Sequence, residues 1–526
     1  MITNPILKGS NPDPSILRVG NDYYIATSTF EWFPGVRLHH SNDLVHWHQL
    51  PSPLNRTSQL DMKGDPDSGG VWAPNLTWHD GMFYLVYCDV KRFDGRWKDL
   101  ANYLVSAKSI EGPWSDPIYL NGSGFDASLF HDDDGKAWVL NLCVDHRKGR
   151  FFGGIIMQEY SHSERRLVGE VFHIFNGSPL GITEGPVMMK KDGWYYLITA
   201  EGGTEYNHAV SIARSRNMTG PYEIHPDNPI LTSADIPEHP LQKAGHGSII
   251  QSADGKWYLS HLTGRPLDTR GRCTLGRETA LQEIKWSEDG WPRLSHGGHC
   301  PSVEVTAPHL PQSIFPEIPT FDGFGDEHLR TEYQSLRIPA DENWVSLKKR
   351  KGFLALRGQE SLCSTHCQSM IARRQCDFSF EAETVLEFEP EHFQHAAGIA
   401  YYYNTRHFIY FHMSNEEGTG RTLNLTVCDD NVFHDPLKNP IKITSSRVHL
   451  KMTVRKADMM FEYKEEGKEW NRLPVIIDGS IISDDYVREK HEYKAAFTGA
   501  FIGLCCQDHA QRQKWAYFDS FEYKAI

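Results

Sequence analysis

The sequence has no run of basic residues and does not begin like a secretory signal peptide. A membrane span needs about 18 consecutive apolar residues, and no segment reaches that length. Lys and Arg number 54 against 68 Asp and Glu, so the formal net charge is −14. An acidic chain repels a polyanion, which argues against a nucleic-acid partner. We therefore predict a cytoplasmic protein that binds neither membranes nor nucleic acid.

Cysteine is sparse, with ten residues in 526, and no C-x-x-C pair occurs. A disulfide scaffold is therefore not expected, and the thiols are predicted to be reduced. Cys363, His366, Cys367 and Cys376 are close in sequence, but their spacing fits no common zinc finger. The chain also lacks a Rossmann glycine motif, a P-loop and helical heptads, which argues against dinucleotide, nucleotide and coiled-coil functions.

Five similar segments follow one another along the first 260 residues. Each combines a short apolar strand, a polar turn and a second strand rich in Tyr, Trp and Leu, as an antiparallel hairpin does. The turn markers, spaced by 59, 54, 58 and 62 residues, are Asn21, Asp80, Asp134, Asp192 and Asp254. This spacing suits one four-stranded propeller blade, so the repeat predicts an all-β fold with a five-bladed β-propeller.

The residues eight positions before each marker are mostly polar. They are Asp13, Trp72, Asp126, Glu184 and His246. Equivalent positions of equivalent blades face the same point on the propeller axis, so these side chains are predicted to converge in one pit. Three carboxylates at one place repel one another, which costs stability. Their presence therefore indicates a functional site, either catalytic or metal-binding.

The repeat stops after Pro301, and a proline-rich linker leads to a region of alternating strands. We predict a propeller domain over residues 1–305, a linker over 306–320 and a C-terminal β-sandwich over 321–526.

Seven ordered motifs carry a family resemblance: NPDPS, STFEWFPGV, GGVWAPNL, FDASLFHD, TEGP, AGHGS and LGRETALQ. With them the chain resembles the two-domain β-xylosidases of glycoside hydrolase family 43. The resemblance implies a concanavalin-like jelly-roll sandwich that closes the active-site pocket. It also implies an exo-acting, inverting 1,4-β-xylosidase that releases xylose from the non-reducing ends of xylobiose and xylo-oligosaccharides. An α-L-arabinofuranosidase, or an enzyme with both activities, is the alternative.

The resemblance also assigns roles to the three carboxylates. Asp13 resembles the general base that activates water, Glu184 the general acid, and Asp126 the residue that orients the acid and raises its pKa. Glycoside hydrolysis with inversion needs such an acid and base, with their carboxyl groups about 6.5 to 9.5 Å apart.

Further residues resemble those that bind the terminal sugar. They are Phe30, Trp72, Thr204, His246, Arg277 and Phe497. Arg277 would bind sugar hydroxyls, while Phe30 and Trp72 would form walls. Phe497 or Phe501 would reach over the pocket from the sandwich, and Phe497 is favoured. His246 packs as a neutral ring or holds a metal ion through water; the sequence does not decide between these.

No organic cofactor is expected. Asp322 and Asp519, near the first and last sandwich strands, could hold a structural calcium ion, or they could be ordinary turn residues. A homo-oligomer, dimer or tetramer, is implied by the resemblance alone. Two rival readings remain: a non-catalytic carbohydrate-binding propeller, and a structural propeller in which the pit residues bind metal.

Overall fold

The computed structural model describes residues 1–147, 150–490 and 495–526. The chain divides into two compact units. The propeller unit comprises residues 1–30, 34–270 and 277–315, and the sandwich unit comprises residues 31–33, 271–276 and 316–526. The division at residues 315 and 316 lies within the segment assigned above to the linker, and the exact domain limits stay a prediction. No described helix is long and apolar enough to cross a membrane.

The propeller unit consists of five antiparallel sheets, one for each sequence repeat. Their strands, from the axis outward, are Ser15–Val19, Asp22–Thr27, Arg37–Ser41 and His48–Leu50 in blade one; Gly70–His79, Met82–Arg92, Asp99–Ala107 and Ile118–Asn121 in blade two; Ser128–His131, Ala137–Val144, Phe152–Ser161 and Arg166–Phe175 in blade three; Glu184–Lys191, Trp194–Glu201, Ala209–Ser215, Glu223–Ile224 and Leu231–Thr232 in blade four; and Gln242–Gln251, Trp257–Gly264, Arg277–Trp286 and Pro292–Leu294 in blade five. The predicted five-bladed propeller is confirmed.

The marker turns join the first and second strands of each blade. At Asp80 and Gly81 the φ angles are 47° and 75°, and at Asp192 and Gly193 they are 51° and 74°. Positive φ at both central residues is the requirement of a type I′ hairpin turn, which explains these two Asp-Gly pairs. In the Asp134-Gly135 and Asp254-Gly255 turns only the glycine has positive φ, at 84° and 89°. Each first strand therefore runs from the predicted pit toward its turn, and the second strand returns to the pit. We call the end with the pit the carboxylate end and the other the turn end.

A layer of small polar side chains connects neighbouring blades just beneath the pit. The Ser15 hydroxyl accepts from the Leu76 amide at 3.0 Å, and the Asn75 side-chain oxygen accepts from the Leu129 amide at 3.0 Å. Ser128 donates to the Pro186 carbonyl at 2.5 Å, and Ser248 donates to the Pro14 carbonyl at 3.1 Å. Because these bonds cross between blades, they fix the relative positions of the strands that carry the pit residues.

The beginning of the chain closes the ring of blades. Ile2–Thr3 pairs with Glu304–Val305 in a short antiparallel sheet. The Asn4 side chain donates to the Leu281 carbonyl at 2.7 Å, and the Asn11 amide donates to the Arg277 carbonyl at 2.8 Å. Blade one is thereby bonded to blade five, which leaves no gap in the circle.

The sandwich unit consists of two antiparallel sheets. One contains Phe321–Asp322, Val345–Ser346, Leu354–Arg357, Ser379–Glu387, Arg447–Arg455, Asp458–Glu465, Asn471–Arg472, Ile477–Asp478 and Trp515–Ala525, and the other contains Ser369–Arg374, His395–Asn404, His407–Glu416, Gly420–Asp429, Val432–His434, Ile441–Lys442 and Phe501–Asp508. A small sheet of Trp32–Phe33 and Ser335–Leu336, a 3₁₀ turn Gly479–Ile481 and the helix Asp484–Lys490 complete it.

The core of the sandwich lies between its sheets. Phe380, Phe411, Phe461 and Phe518 are fully buried there, and the rings of Phe411 and Phe461, one from each sheet, lie 5.4 Å apart. Alternation of such residues with polar ones along each strand is the pattern of a two-sheet sandwich. The predicted all-β sandwich is confirmed.

Candidate active site

The predicted pit lies at the carboxylate end of the propeller axis, where residues of all five blades line a narrow cavity. Asp13, Asp126 and Glu184, which we call the carboxylate ring, are each 7% exposed. The backbone is left-handed at Asp13, Asp126 and His246, with φ of 56°, 55° and 48°. Such backbone is costly for residues other than glycine and is characteristic of functional sites.

Asp13 is held as a carboxylate by its neighbours. Ser28 donates to one carboxylate oxygen at 2.6 Å, and Arg277 Nη1 donates to the other at 3.3 Å. His246 Nδ1 lies 3.6 Å from the same oxygen as Arg277. Burial by itself would raise the pKa of Asp13, but the charges of Arg277 and His246 and the Ser28 hydrogen bond outweigh it, so the pKa is lowered. Asp13 is therefore ionised at neutral pH.

Asp126 has the opposite electrostatic environment. Burial raises its pKa well above the ordinary value, and the neighbouring charges of Glu184 and Asp13 raise it further. One carboxylate oxygen accepts from the Gly185 amide at 3.0 Å, which ties Asp126 to the residue after Glu184. Two neighbouring buried carboxyl groups cannot both ionise easily, so a proton on one of them is favoured.

A second buried acid supports the segment that carries Glu184. Glu201 is fully buried and accepts from the Thr183 hydroxyl, the Ser178 amide and the Ser211 hydroxyl, each at 2.8 Å. Thr183 immediately precedes Glu184. The Glu201 carboxylate therefore fixes the entry into the strand at the point where the predicted acid projects.

Two imidazoles lie near Asp13, and burial disfavours the charged form of each. Burial lowers the pKa of His246, and burial also lowers the pKa of His208 to about 3. A Cβ on Gly185 would lie 2.9 Å from the His246 ring, and one on Gly245 would lie 2.1 Å from the His208 ring. Glycine at these two positions is therefore required to admit the rings. Neutral packing and metal binding of His246 both stay predictions.

Phe30 and Trp72 are neighbours across two blades. The Phe30 amide and carbonyl bond to those of Val71, each at 3.0 Å, and Val71 precedes Trp72. The Arg277 guanidinium lies 5.6 Å from the Phe30 ring centre, and the Trp72 ring lies 5.2 Å from that of Phe125. Two aromatic rings and a guanidinium thus stand beside the carboxylate ring, as sugar binding requires.

Another cluster of buried charge anchors the loop behind Trp72. Lys91 Nζ lies 3.1 Å from Asp65 and 2.8 Å from Asp89, and it also donates to the Asp61 carbonyl. Burial and the Asp89 charge raise the pKa of Asp65 to about 8. We call Asp65, Asp89 and Lys91 the lysine-bridged pair. It holds the loop whose Ser68 carbonyl accepts from the Trp72 indole at 2.8 Å.

The remaining predicted sugar contacts lie in loops. Thr204 is partly exposed in the segment between Trp194–Glu201 and Ala209–Ser215, at the carboxylate end. In the sandwich unit, Phe501 stacks on Trp32 with ring centres 3.7 Å apart, so it is a packing residue. Phe497 is partly exposed, and the Gly499 amide just after it is fixed by Asp484 at 3.0 Å. The roles of Thr204 and Phe497 stay predictions.

Asp322 and Asp519 are engaged with cations already present in the protein. Asp322 accepts from the Phe324 amide at 2.8 Å and lies 3.4 Å from Arg330, while Asp519 pairs with Arg447. A calcium site needs several oxygen ligands, and the described residues form no group of three or more His, Cys, Asp or Glu placed to hold a metal. The two acids do not fit calcium in this arrangement, and the calcium expectation gains no support.

Sequence reasoning missed His208, Glu201 and the lysine-bridged pair. A signal for two of them exists in the repeat, because Asp89 and Glu201 each lie nine residues after their turn markers, Asp80 and Asp192. Phe30 lies nine residues after Asn21 in the same register. His208 follows no such spacing and depends on the loop conformation of blade four.

Comparison with known proteins agrees with this geometry. Residues 2–292 match the model of Glycosyl hydrolases family 43, and residues 321–524 match the Beta xylosidase C-terminal Concanavalin A-like domain. A beta-xylosidase of Bacillus subtilis (strain 168) is 50% identical over 99% of both chains, and a xylosidase/arabinosidase 43B of Humicola insolens is 46% identical over 100% of this chain and 98% of its own. The crystal structure of a xylan beta-1,4-xylosidase from Bacillus halodurans C-125 is 53% identical, with TM-score 0.97 over the whole of both chains.

Proposed function

Since the chain belongs to glycoside hydrolase family 43 and is a glycoside hydrolase, we propose that it is an exo-acting 1,4-β-xylosidase that inverts the anomeric configuration. Its substrates would be xylobiose and short xylo-oligosaccharides. The observation that carries the proposal is the division of protonation within the carboxylate ring, where the pKa of Asp13 is lowered and that of Asp126 is raised.

In the proposed mechanism Asp13 is the general base. Its ionised carboxylate takes a proton from a water molecule, and the water oxygen forms a bond to the anomeric carbon of the terminal sugar. The bond between that carbon and the glycosidic oxygen breaks as Glu184 donates its proton to the departing oxygen. Asp126, coupled to Glu184, keeps a proton available in the pair and orients the acid.

Arg277 would have two functions in this site. Its Nη1 stabilises the carboxylate of Asp13, and its other donors are suited to the hydroxyls of the terminal xylose. Phe30 and Trp72 would provide the apolar faces against which a sugar ring packs. Phe497 is proposed to close the pocket, which would restrict the enzyme to chain ends.

An α-L-arabinofuranosidase activity is the second candidate, because the Humicola insolens relative is described as both xylosidase and arabinosidase. A cytoplasmic location is proposed from the ten free cysteines, which suit a reducing compartment. No organic cofactor enters the mechanism, and a dimer or tetramer remains part of the proposal.

Proton NMR during hydrolysis of 4-nitrophenyl β-D-xylopyranoside tests the proposal, since this substrate releases a single sugar. We expect α-xylose to appear first, followed by slow mutarotation to the equilibrium mixture. Initial β-xylose would require a nucleophilic carboxylate and would contradict the roles of Asp13 and Glu184. Faster release from 4-nitrophenyl α-L-arabinofuranoside than from the xyloside would favour the second candidate.

A further inference from the structure

A second, larger cavity lies within the propeller unit. Its volume is about 700 Å³, and its lining includes Arg96, Trp97, His146, Arg147, Phe152 and His173. Trp97 is 69% exposed, the highest value among the exposed tryptophans of the described chain. The proposed hydrolytic mechanism uses none of these residues.

The strand order places this cavity at the carboxylate end. Met82–Arg92 and Ala137–Val144 are second strands, which return from the turns toward the pit. The loop that carries Trp97 follows the first of them, and the loop that carries His146 follows the second. The cavity therefore opens on the same face of the propeller as the predicted pit.

The Trp97 ring is held in place by contacts between these two loops. Arg96 Nε donates to the His146 carbonyl at 2.5 Å, and His146 Nδ1 donates to the Arg96 carbonyl at 3.0 Å. The His146 ring lies 5.1 Å from the Trp97 ring, with an angle of 32° between their planes. The indole is thus supported on one side while most of its surface remains open to solvent.

Aromatic rings connect this cavity with the wall of the predicted sugar pocket. Trp72 contacts Phe125 at 5.2 Å, Phe125 contacts Phe151 at 6.3 Å, and Phe151 contacts Phe152 at 4.7 Å between ring centres. Phe152 lines the cavity. Three successive ring contacts therefore link the lining of this cavity to Trp72.

The cavity suits a neutral polyhydroxylated ligand better than an anion. Arg147 and Arg150 both pair with Asp145, at 2.7 and 3.3 Å, so an anion would compete with that carboxylate. An exposed indole surrounded by hydrogen-bonding side chains is instead the usual chemistry of a sugar platform.

We propose that Trp97 forms a distal subsite that binds a sugar unit on the leaving-group side of longer xylo-oligosaccharides. This inference rests on the proposed function and extends it to substrate length. A contact this far from the scissile bond stabilises the enzyme–substrate complex and the transition state equally. It therefore lowers KM and leaves kcat unchanged.

The test compares Trp97→Ala with the wild type on xylobiose and xylotetraose. We expect KM for xylotetraose to rise roughly three- to tenfold in the variant, with kcat unchanged and both constants unaffected for xylobiose. Trp97→Phe should recover most of the loss, since it keeps an aromatic face. Trp78→Ala is the matched control, because Trp78 is 43% exposed in the same blade but lies at the turn end.

The inference would be overturned if the ratio of KM for xylotetraose to KM for xylobiose were the same in Trp97→Ala as in the wild type. An equal loss of kcat/KM on both substrates would also overturn it. A change of molar mass in light scattering would identify Trp97 as a contact between copies of the chain and would also overturn it. Failure of the wild type to hydrolyse any β-xyloside would instead contradict the proposed function, which separates the two outcomes.

Discussion

Two clusters of buried carboxyl groups in the propeller unit, the lysine-bridged pair and the carboxylate ring, differ in how their charge is balanced. In the lysine-bridged pair, Lys91 contacts both Asp65 and Asp89. In the carboxylate ring, Arg277 pairs with Asp13. The pKa of Asp126 is raised there by burial and by the charge of Glu184. Both places thus contain a carboxyl group whose pKa is raised, but only one has a cation between its acids.

The comparison shows how a buried acid cluster can be assigned to structure or to chemistry. With Lys91 charged and one proton shared in the hydrogen bond between Asp65 and Asp89, the lysine-bridged pair is close to neutral. In the carboxylate ring no cation lies between Asp126 and Glu184 among the described contacts, and the raised pKa of Asp126 favours a proton beside the proposed acid. This is the arrangement that stabilises a positively charged transition state and protonates a leaving group.

The largest effect is expected from removing the acid of the carboxylate ring. Glu184→Gln should lower kcat/KM for xylobiose about a thousandfold, because general acid catalysis is lost. The loss should be smaller for 4-nitrophenyl β-D-xylopyranoside, whose leaving group departs without protonation. Steady-state kinetics on both substrates measures the difference.

Asp65→Asn is the control for this substitution, since it alters a buried carboxyl that the mechanism does not use. Its kcat/KM for xylobiose should stay within about threefold of the wild type. Equal losses from Glu184→Gln on the two substrates would contradict the role of Glu184 as acid, even if the variant remains folded.

The repeat made much of the fold and the pit predictable from sequence. Five turns with near-constant spacing place Asp13, Asp126 and Glu184 in one register, and closure of the ring follows from the architecture. The division into two units was also visible, because the repeat ends where the proline-rich segment begins. The family resemblance, and not the spacing, supplied the roles of the carboxylates.

The electrostatic partners were harder to predict, because they come from different strands and loops. Arg277 is 264 residues away from Asp13 in sequence, and Ser28 reaches Asp13 from the position just after the second strand of the same blade. Lys91 and Asp65 meet only through the loop before blade two. Spacing cannot reveal such contacts, since they depend on the path of each loop and on which side chains become buried.

A smaller effect, on stability, is expected in the lysine-bridged pair. Lys91→Met leaves a buried carboxylate without its cation and should lower the free energy of unfolding by roughly 1–3 kcal/mol, less than for a fully buried pair because Lys91 is partly exposed. We expect kcat to stay within about threefold, and urea denaturation measures the stability change.

Lys136→Met is the matched control, because Lys136 pairs with Glu159 at 2.7 Å on the surface. It should leave the free energy of unfolding nearly unchanged, because exposed ion pairs contribute little to stability. A thousandfold loss of kcat in Lys91→Met would instead place the lysine-bridged pair in the catalytic machinery and remove the distinction between the two clusters.

The last effect, the smallest over any single pH unit, is a change in how stability depends on pH. Asp65 has a pKa of about 8 in the folded protein, above the about 3.9 of an unfolded aspartate, so between these values the folded state binds more protons. The contribution of Asp65 to the free energy of unfolding therefore falls as pH rises, by roughly 1 kcal/mol between pH 6 and pH 7. Asp65→Asn should remove this decline, because asparagine resembles the protonated acid and can still donate to Asp89. Denaturation of both proteins from pH 5 to pH 8 measures the difference: the stability of the wild type relative to the variant should fall steadily over this range, so that the variant gains most at pH 8. Parallel curves would mean that Asp65 is ionised beside Lys91, and the cluster would then carry excess negative charge.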